Sequence, residues 1–230
     1  MTGVASLGRR TGVEFVGTGA LVAVVVGSGI QAGRLTQDTG VQLLANSLAT
    51  VFGLGVLIAL LGPVSGAHFN PAVTLAFAIR REIALPRAAA YVAVQVVAGI
   101  AGVWVAHAMF GEPILQVSAK LRAGPSQALA EFVATFGLIG SILGALRFRP
   151  DATAWIVGLY ITAAYWFTAS TSFANPAVTI ARSLSNTFAG IAPSSAPAFI
   201  AAQLLGAVAA TFAFGWLLAE SQAQAAQPAH

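Results

Sequence analysis

Long apolar runs dominate this chain and predict helices that cross a membrane. Six segments are mostly apolar and about 20 residues long, which is enough to span the hydrocarbon core of a bilayer. The runs are continuous rather than alternating, which argues against a transmembrane barrel. The pattern therefore predicts an all-α membrane protein with spans at residues 12–31, 41–62, 88–110, 126–146, 152–171 and 196–219.

Composition supports the same class of protein. Hydrophobic residues make up 57% of the 230 positions and charged residues only 8%, whereas soluble domains carry about 25% charge. The chain has no cysteine and three histidines, so we expect no disulfide or metal site. It also lacks a basic stripe for nucleic acid and a recognisable pairing of nucleophile and base. We therefore expect a non-enzymatic protein whose main partner is the lipid bilayer.

The Lys and Arg residues predict the orientation in the membrane. Seven of the 11 lie before the first span and in the second and fourth connections. Because cytoplasmic loops carry the excess of positive charge, we expect both termini to lie in the cytoplasm. The expected location is the inner (plasma) membrane.

The chain contains an internal repeat. The sequence Asn-Pro-Ala-Val-Thr occurs at residues 70–74 and again, unchanged, at 175–179. An intramembrane carboxylate precedes each copy in a similar context, Glu14 in the first half and Glu131 in the second. Each half holds three spans, and an odd number of spans inverts the second half relative to the first. Inverted repeats are typical of membrane transport proteins, whose sites lie near the midplane.

The repeat predicts the organisation of the whole chain. We expect one membrane channel domain over residues 1–230. Its first repeat covers about 10–110, a connecting loop covers 111–125, and the second repeat covers about 126–220. Residues 221–230 are small and polar and are expected to be disordered.

Each Asn-Pro-Ala segment predicts the start of a short helix. Asn is a favoured N-cap and Pro suits the first helical turn. About ten residues of helical character follow, and they rise about 15 Å, or half a bilayer. Inversion would bring the two half-helices in from opposite faces, so that Asn70 and Asn175 meet near the centre. Their amides and the positive helix ends would bind a solute oxygen and repel cations, although each Asn could also serve only as a cap.

The residues before each Asn predict a non-helical approach. Such backbone survives at membrane depth only where it is buried in protein or lines a watery cavity. We expect its carbonyl groups to line a pore, with Gly66, Ala67 and His68 in the first approach and Thr171 and Phe173 in the second. A lone His such as His68 is more typical of a structural hydrogen bond than of a pH gate.

These motifs resemble those of the aquaporin (major intrinsic protein) family, above all the segment Ser-Gly-Ala-His-Phe-Asn-Pro-Ala-Val-Thr at 65–74. The resemblance implies six helices plus two re-entrant half-helices, arranged as two inverted three-helix repeats. It implies a homotetramer with a pore in each subunit, and passive permeation of water or small neutral solutes without a cofactor. The central constriction would consist of Asn70, Pro71, Ala72, Asn175, Pro176 and Ala177.

The chain departs from the family at its selectivity filter. The family usually has Arg three residues after the second Asn, where this sequence has Val178. Counting back from the two Asn residues without gaps places the other filter positions at Thr50, Ala163 and Ser172. Loss of Arg removes the N–H donors of a guanidinium group and a fixed positive charge, so we expect a wide, weakly polar filter. This pattern is similar to bacterial aquaglyceroporins associated with arsenic resistance, which implies glycerol-like polyols, arsenite or methylated arsenicals as solutes. A water-selective aquaporin is the alternative.

Three buried or terminal charges carry two interpretations each. Family resemblance implies that Glu14 and Glu131 brace the pore loops, but intramembrane acids could also relay protons in a proton-coupled secondary transporter. Arg182 lies four residues after Val178, on the same helical face. It could lie in the outer vestibule and attract solutes, or it could snorkel from a helix C-terminus to the membrane interface.

Overall fold

The computed structural model describes residues 5–219, and all regular structure in that part is helical. The tail over 221–230, expected to be disordered, lies outside the described residues. The eight α-helices of the described residues are α1 (Leu7–Leu35), α2 (Thr39–Ser65), α3 (Pro71–Ile79), α4 (Leu85–Phe110), α5 (Pro125–Phe148), α6 (Thr153–Phe167), α7 (Pro176–Arg182) and α8 (Ala196–Leu217).

Five of the helices in this part of the chain are long and apolar enough to cross a membrane, namely α1, α2, α4, α5 and α8. The remaining predicted span, 152–171, is shorter than expected. Its helix α6 has 15 residues and is about 22 Å long, with a 3₁₀ turn before it at Pro150–Ala152. It ends at Phe167 because Thr168 adopts an extended conformation and starts the approach to α7. The last residues of the predicted span therefore belong to a pore loop.

The helices pack as two equivalent halves. Helix α1 contacts α2 and α4, and α5 contacts α6 and α8 in the same way. Each half-helix also crosses into the other half, since α3 contacts α8 and α7 contacts α4. Helices α2 and α6 join the halves directly. The fold thus has the predicted architecture of two inverted three-helix repeats with two half-helices.

Two glycines allow the long helices of each half to approach closely. A Cβ atom added to Gly102 of α4 would lie closer than 3.0 Å to the Gly19 carbonyl oxygen of α1. One added to Gly206 of α8 would lie closer than 3.0 Å to the Phe132 carbonyl oxygen of α5. Helix pairs in membranes commonly pack through such small residues.

Large apolar side chains cover the outside of the bundle. On α2, for example, Leu44, Phe52 and Leu60 are exposed, and Trp155 and Trp166 are exposed on α6. A water-soluble monomer rarely exposes apolar patches of this extent. The surface suits contact with lipid tails or with further copies of the chain.

Candidate pore

The two half-helices begin at Asn70 and Asn175, as the capping pattern predicts. The Asn70 Oδ1 accepts a hydrogen bond from the Ala72 N–H at 2.8 Å. The Asn175 Oδ1 accepts from the N–H groups of Ala177 and Val178 at 3.0 and 3.2 Å. A proline occupies the first helical turn in both cases, where its missing N–H costs no hydrogen bond.

Each Asn side chain also binds the opposite half of the molecule. The Asn70 Nδ2 donates to the Ala174 carbonyl at 2.7 Å, and the Asn175 Nδ2 donates to the Phe69 carbonyl at 2.9 Å. A side-chain amide has two N–H groups, so each Asn keeps a second donor. Both residues border the central cavity. The positive ends of α3 and α7 and two amide donors therefore meet at one level.

The approach loops have a strained backbone that is the same in both repeats. The residues four, three and one positions before Asn70 have positive φ, namely Gly66, Ala67 and Phe69. The equivalent residues before Asn175 also do, namely Thr171, Ser172 and Ala174. Left-handed conformations of residues other than Gly cost of order 1–3 kcal/mol each. The surrounding structure must therefore supply interactions that stabilise these left-handed conformations.

Glu14 supplies such interactions to the first approach loop. Its side chain is fully buried. Its Oε1 accepts from the Ser65 hydroxyl at 2.7 Å and the His68 N–H at 3.0 Å. Its Oε2 accepts from the Phe69 N–H at 2.7 Å and the Gln95 amide at 2.8 Å.

Glu131 does the same for the second loop. Its oxygens accept from the N–H groups of Phe173 and Ala174, both at 2.8 Å, and from the Gln203 amide at 2.6 Å. Glu14 accepts four hydrogen bonds and Glu131 accepts three, and neither carboxylate borders the central cavity. This geometry favours bracing of the loops over a proton relay.

A narrow cavity of about 110 Å³ passes between the halves. It follows α6 from Thr153 to Tyr165, a rise of about 18 Å. Pockets for drug-sized ligands measure about 300–1,000 Å³, so this space suits only small molecules. We name the part of the cavity lined by His68 the His68 mouth and the part lined by Arg182 the Arg182 mouth. The predicted site residues in its wall are Thr50, Gly66, Ala67, His68, Asn70, Ser172, Phe173, Asn175, Val178 and Arg182.

Other predicted site residues lie behind this wall. Pro71, Ala72, Pro176 and Ala177 are buried in the first turns of the half-helices, where they shape the N-termini without facing the cavity. Thr171 is half-buried, and its hydroxyl accepts a hydrogen bond from Arg122. Within residues 5–219, no group of three or more acidic or histidine side chains is placed to hold a metal ion.

The prediction that Ala163 lines the pore is wrong. Ala163 is exposed on the outer surface of α6, and the cavity is lined instead by Ile161 and Tyr165. Two residues turn a helix by about 200°, so a register error of two moves a side chain to the opposite face. The Tyr165 hydroxyl lies 3.2 Å from the Thr50 hydroxyl. A phenol ring therefore stands where a small side chain was expected, and the wall is narrower there than predicted.

Arg182 does not snorkel to an interface. It is 2% exposed and borders the cavity. Its Nε donates to the Ala189 carbonyl, and its guanidinium carbon lies 3.4 Å from the centre of the Phe173 ring. The side chain is thus a buried part of the cavity wall and does not extend away from it.

Comparisons with known proteins show the family of this chain. Residues 4–150 match the family described as major intrinsic protein. The chain is 57% identical over 212 residues to the aquaglyceroporin AqpS of Rhizobium meliloti (strain 1021), covering 92% of this chain and 91% of that protein. The chain belongs to the major intrinsic protein family. A probable aquaporin of TIP type from Medicago truncatula is 32% identical over 183 residues, covering 72% of this chain and 70% of that protein.

The fold of this major intrinsic protein is also found among solved structures. The X-ray structure of the aquaglyceroporin from Plasmodium falciparum superposes with a TM-score of 0.69 at 20% identity. The match covers 90% of this chain and 95% of that chain. The protein is therefore a multi-pass membrane channel of this family and not an enzyme.

The loop between α4 and α5 of this major intrinsic protein binds the segments on both sides of α7, which the sequence did not predict. Arg122 donates through Nη1 to the Ser170 carbonyl at 3.1 Å and through Nε to the Gly190 carbonyl at 3.0 Å. The Lys120 ammonium donates to the Phe188 carbonyl at 2.8 Å. Burial, and then the charge of Arg122, lower the pKa of Lys120 from 10.5 to about 8. In the sequence, two basic residues in a connection between spans were the only signal of this arrangement.

Proposed function

We propose that this channel passes small uncharged hydroxylated solutes down their gradients. Glycerol-like polyols and arsenite, in its neutral form arsenous acid, come first, methylated arsenicals next, and water permeates with them. The observation that carries this proposal is the narrow cavity with Asn70 and Asn175 at its middle and an uncharged Val178 beside them. The name of the bacterial relative, an aquaglyceroporin, supports the same solute class.

The two sides of the cavity wall suit a molecule with one apolar face and one hydroxylated face. Long helices contribute apolar side chains such as Leu21, Ile142 and Val157. The approach loops contribute backbone at Gly66–Asn70 and Ser172–Asn175, whose carbonyl groups can accept from solute hydroxyls. A polyol can keep its carbons against the first side and its hydroxyls against the second.

Ser172 offers a further polar group to the solute. Its hydroxyl is buried, and within the described residues it has no hydrogen-bond partner. Since Ser172 borders the cavity, a permeating hydroxyl can satisfy it. Together with Thr50, Tyr165 and Val178 it forms the proposed filter, in which Tyr165 takes the position first assigned to Ala163.

The proposed setting is a single channel domain assembled as a homotetramer in the inner (plasma) membrane, with one pore in each subunit. The exposed apolar surface supports burial in lipid and against other subunits. The distribution of Lys and Arg supports cytoplasmic termini. In this orientation the His68 mouth faces the cytoplasm and the Arg182 mouth faces outward.

The test is stopped-flow light scattering on proteoliposomes given a hyperosmotic glycerol jump. Water efflux shrinks the vesicles, and solute uptake then swells them again. Re-swelling faster than in empty liposomes supports the proposal, and uptake of arsenite measured in the same vesicles tests the second solute. Fast shrinkage without re-swelling would instead indicate a water-selective channel.

A second arm tests the transporter alternative. An imposed pH gradient should not drive uptake of glycerol against its own gradient. Uphill uptake that is lost in Glu14→Gln and Glu131→Gln variants would favour a proton-coupled transporter over a passive channel.

A further inference from the structure

We propose that Arg182 supplies the fixed positive charge of this pore, one helical turn beyond the position where Val178 leaves it uncharged. The inference rests on the proposed function as a channel. It adds a charged side chain that repels cations, including hydronium. The sequence alone leaves Arg182 either in an outer vestibule or at a helix end that extends to the membrane interface.

The helix geometry lets the Arg182 side chain reach back toward Val178. The two residues are four positions apart on α7, so their Cα atoms lie on one face about 6 Å apart along the axis. Side chains on a helix lean toward its N-terminus, which here is the centre of the pore. The arginine side chain is long enough to bring its guanidinium inward from the helix end.

Phe173 fixes the depth of the guanidinium. The Phe173 ring borders the cavity directly after Ser172, a residue of the proposed filter, and the guanidinium carbon of Arg182 lies 3.4 Å from the ring centre. The Phe173 N–H is itself bound to the buried carboxylate of Glu131 at 2.8 Å. The cation is therefore positioned by the pore loop and not by a flexible surface.

The guanidinium keeps donors for a permeating solute. An arginine has five N–H groups, and Arg182 uses that of Nε on the Ala189 carbonyl. Within residues 5–219 its Nη groups make no hydrogen bond, although the residue is 2% exposed. Neither Nη is among the fully buried side-chain atoms that lack a partner, and Arg182 borders the cavity, so a solute or water oxygen there can accept from them.

The first repeat shows that this charged side chain is specific to one mouth. Phe173 and Arg182 lie two residues before and seven after their Asn, and His68 and Phe77 occupy these positions in the first repeat. The His68 and Phe77 rings also stack, with centroids 4.7 Å apart and planes inclined by 28°. Both mouths thus hold a stacked pair, but only the second pair contains a guanidinium.

Arg122 has a different role from Arg182. Its guanidinium lies 5.0 Å from the centre of the same Phe173 ring. Its donors, however, are engaged with Ser170, Thr171 and Gly190 of the surrounding loops, and it does not border the cavity. Arg122 holds the loops in place, whereas Arg182 presents its charge to the permeating species.

The experiment compares proton leak in proteoliposomes that contain a pH-sensitive dye, under an imposed membrane potential. Arg182→Gln keeps amide donors and loses the charge, and Arg182→Lys keeps the charge. We expect Arg182→Gln to raise the proton leak by about tenfold or more, because an adjacent charge is the strongest local repulsion available, and Arg182→Lys to stay near the wild-type leak. Lys120→Ala removes a cation of the same mouth that does not border the cavity, and it should leave the leak unchanged.

Glycerol flux and tetramer elution are measured on the same preparations. An Arg182→Gln variant that conducts glycerol without an increased proton leak would overturn the proposal, because the charge would then be unnecessary for cation exclusion. Equal leak in Arg182→Gln and Arg182→Lys would overturn it as well. If wild-type vesicles pass no glycerol while Arg182→Gln still leaks protons, the solute assignment fails and the role of Arg182 stands. In an Arg182→Gln background, Val178→Arg should lower the leak again.

Discussion

The guanidinium of Arg182 stacks on the ring of Phe173 with 3.4 Å between the guanidinium carbon and the ring centre. A desolvated cation–π contact is worth about 2 kcal/mol or more, so neither group turns independently. The Phe173 N–H also binds the buried carboxylate of Glu131. The carboxylate, the pore loop and the cation of Arg182 therefore form one connected unit. Changes at any of the three should reach the cavity wall.

Widening the pore at Tyr165 should admit larger solutes. Tyr165→Ala removes a ring that borders the cavity and faces Thr50. We expect the flux of polyols larger than glycerol to rise about tenfold, the scale at which removed steric bulk changes selectivity. Swelling rates of proteoliposomes in a series of polyols measure this change.

Ala163→Leu is the matched control on the same helix. Its side chain lies on the outer surface, so the polyol series should match that of the wild-type channel. Block of glycerol flux by Ala163→Leu would contradict the placement of α6.

Replacing either buried carboxylate should weaken the pore loops. In Glu14→Gln, one oxygen that accepts two hydrogen bonds becomes an amide that faces two donors. A buried donor left unpaired costs about 1–3 kcal/mol, so the thermal unfolding midpoint in detergent should fall, and Glu131→Gln should behave alike. Glu112→Gln, at a partly exposed carboxylate paired with Arg34, should leave the midpoint nearly unchanged. A midpoint unchanged in both buried variants would show that the bracing contacts contribute little.

Lys120 should titrate well below an ordinary lysine. Its pKa is lowered from 10.5 to about 8 by burial and by the charges of Arg122 and Arg182. Between these values the unfolded chain holds a proton that the folded chain has released, so stability should rise with pH in this window. Lys120→Met should abolish the rise. Because Lys120 is the single lysine of the sequence, the pH dependence of its acetylation, followed by peptide mass spectrometry, reports the pKa directly.

A methyl group at Gly102 should force α1 and α4 apart. The added Cβ would lie closer than 3.0 Å to the Gly19 carbonyl oxygen, and backbone atoms cannot yield as a flexible side chain does. Overpacking of this kind costs about 1–3 kcal/mol, so we expect a lower unfolding midpoint. Gly144→Ala, in α5 where a Cβ meets no atom within 4 Å, should keep or raise the midpoint. Equal midpoints in the two variants would contradict the close approach of the helices.

Much of the fold follows from local chemistry that the sequence displays. Asn-Pro at 70–71 and 175–176 predicts helix starts because cap and first-turn preferences depend on neighbouring residues only. The pairing of Glu14 with one loop and of Glu131 with the other was implied by the family resemblance. The odd number of spans in each half supplies the inversion.

The wrong prediction concerns a position that was reached by counting residues along non-helical backbone. Counting from Asn175 to Ala163 crosses residues 168–174, where positive φ values at Thr171, Ser172 and Ala174 interrupt any helical register. An offset of two residues in this count assigned the pore position to Ala163, although the residues on the opposite face of the helix line the cavity. Arg182 stacks on Phe173 and binds the Ala189 carbonyl, and neither contact has a sequence pattern.

The crossed hydrogen bonds of the two Asn residues also set an order of assembly during synthesis. Asn70 binds the carbonyl of Ala174, which is 104 positions later in the chain. At about 5–20 residues per second, a ribosome needs about 5–20 s to cover that distance. During that time the first half lacks the Ala174 carbonyl as a partner for Asn70. The constriction therefore forms only when both halves have been inserted.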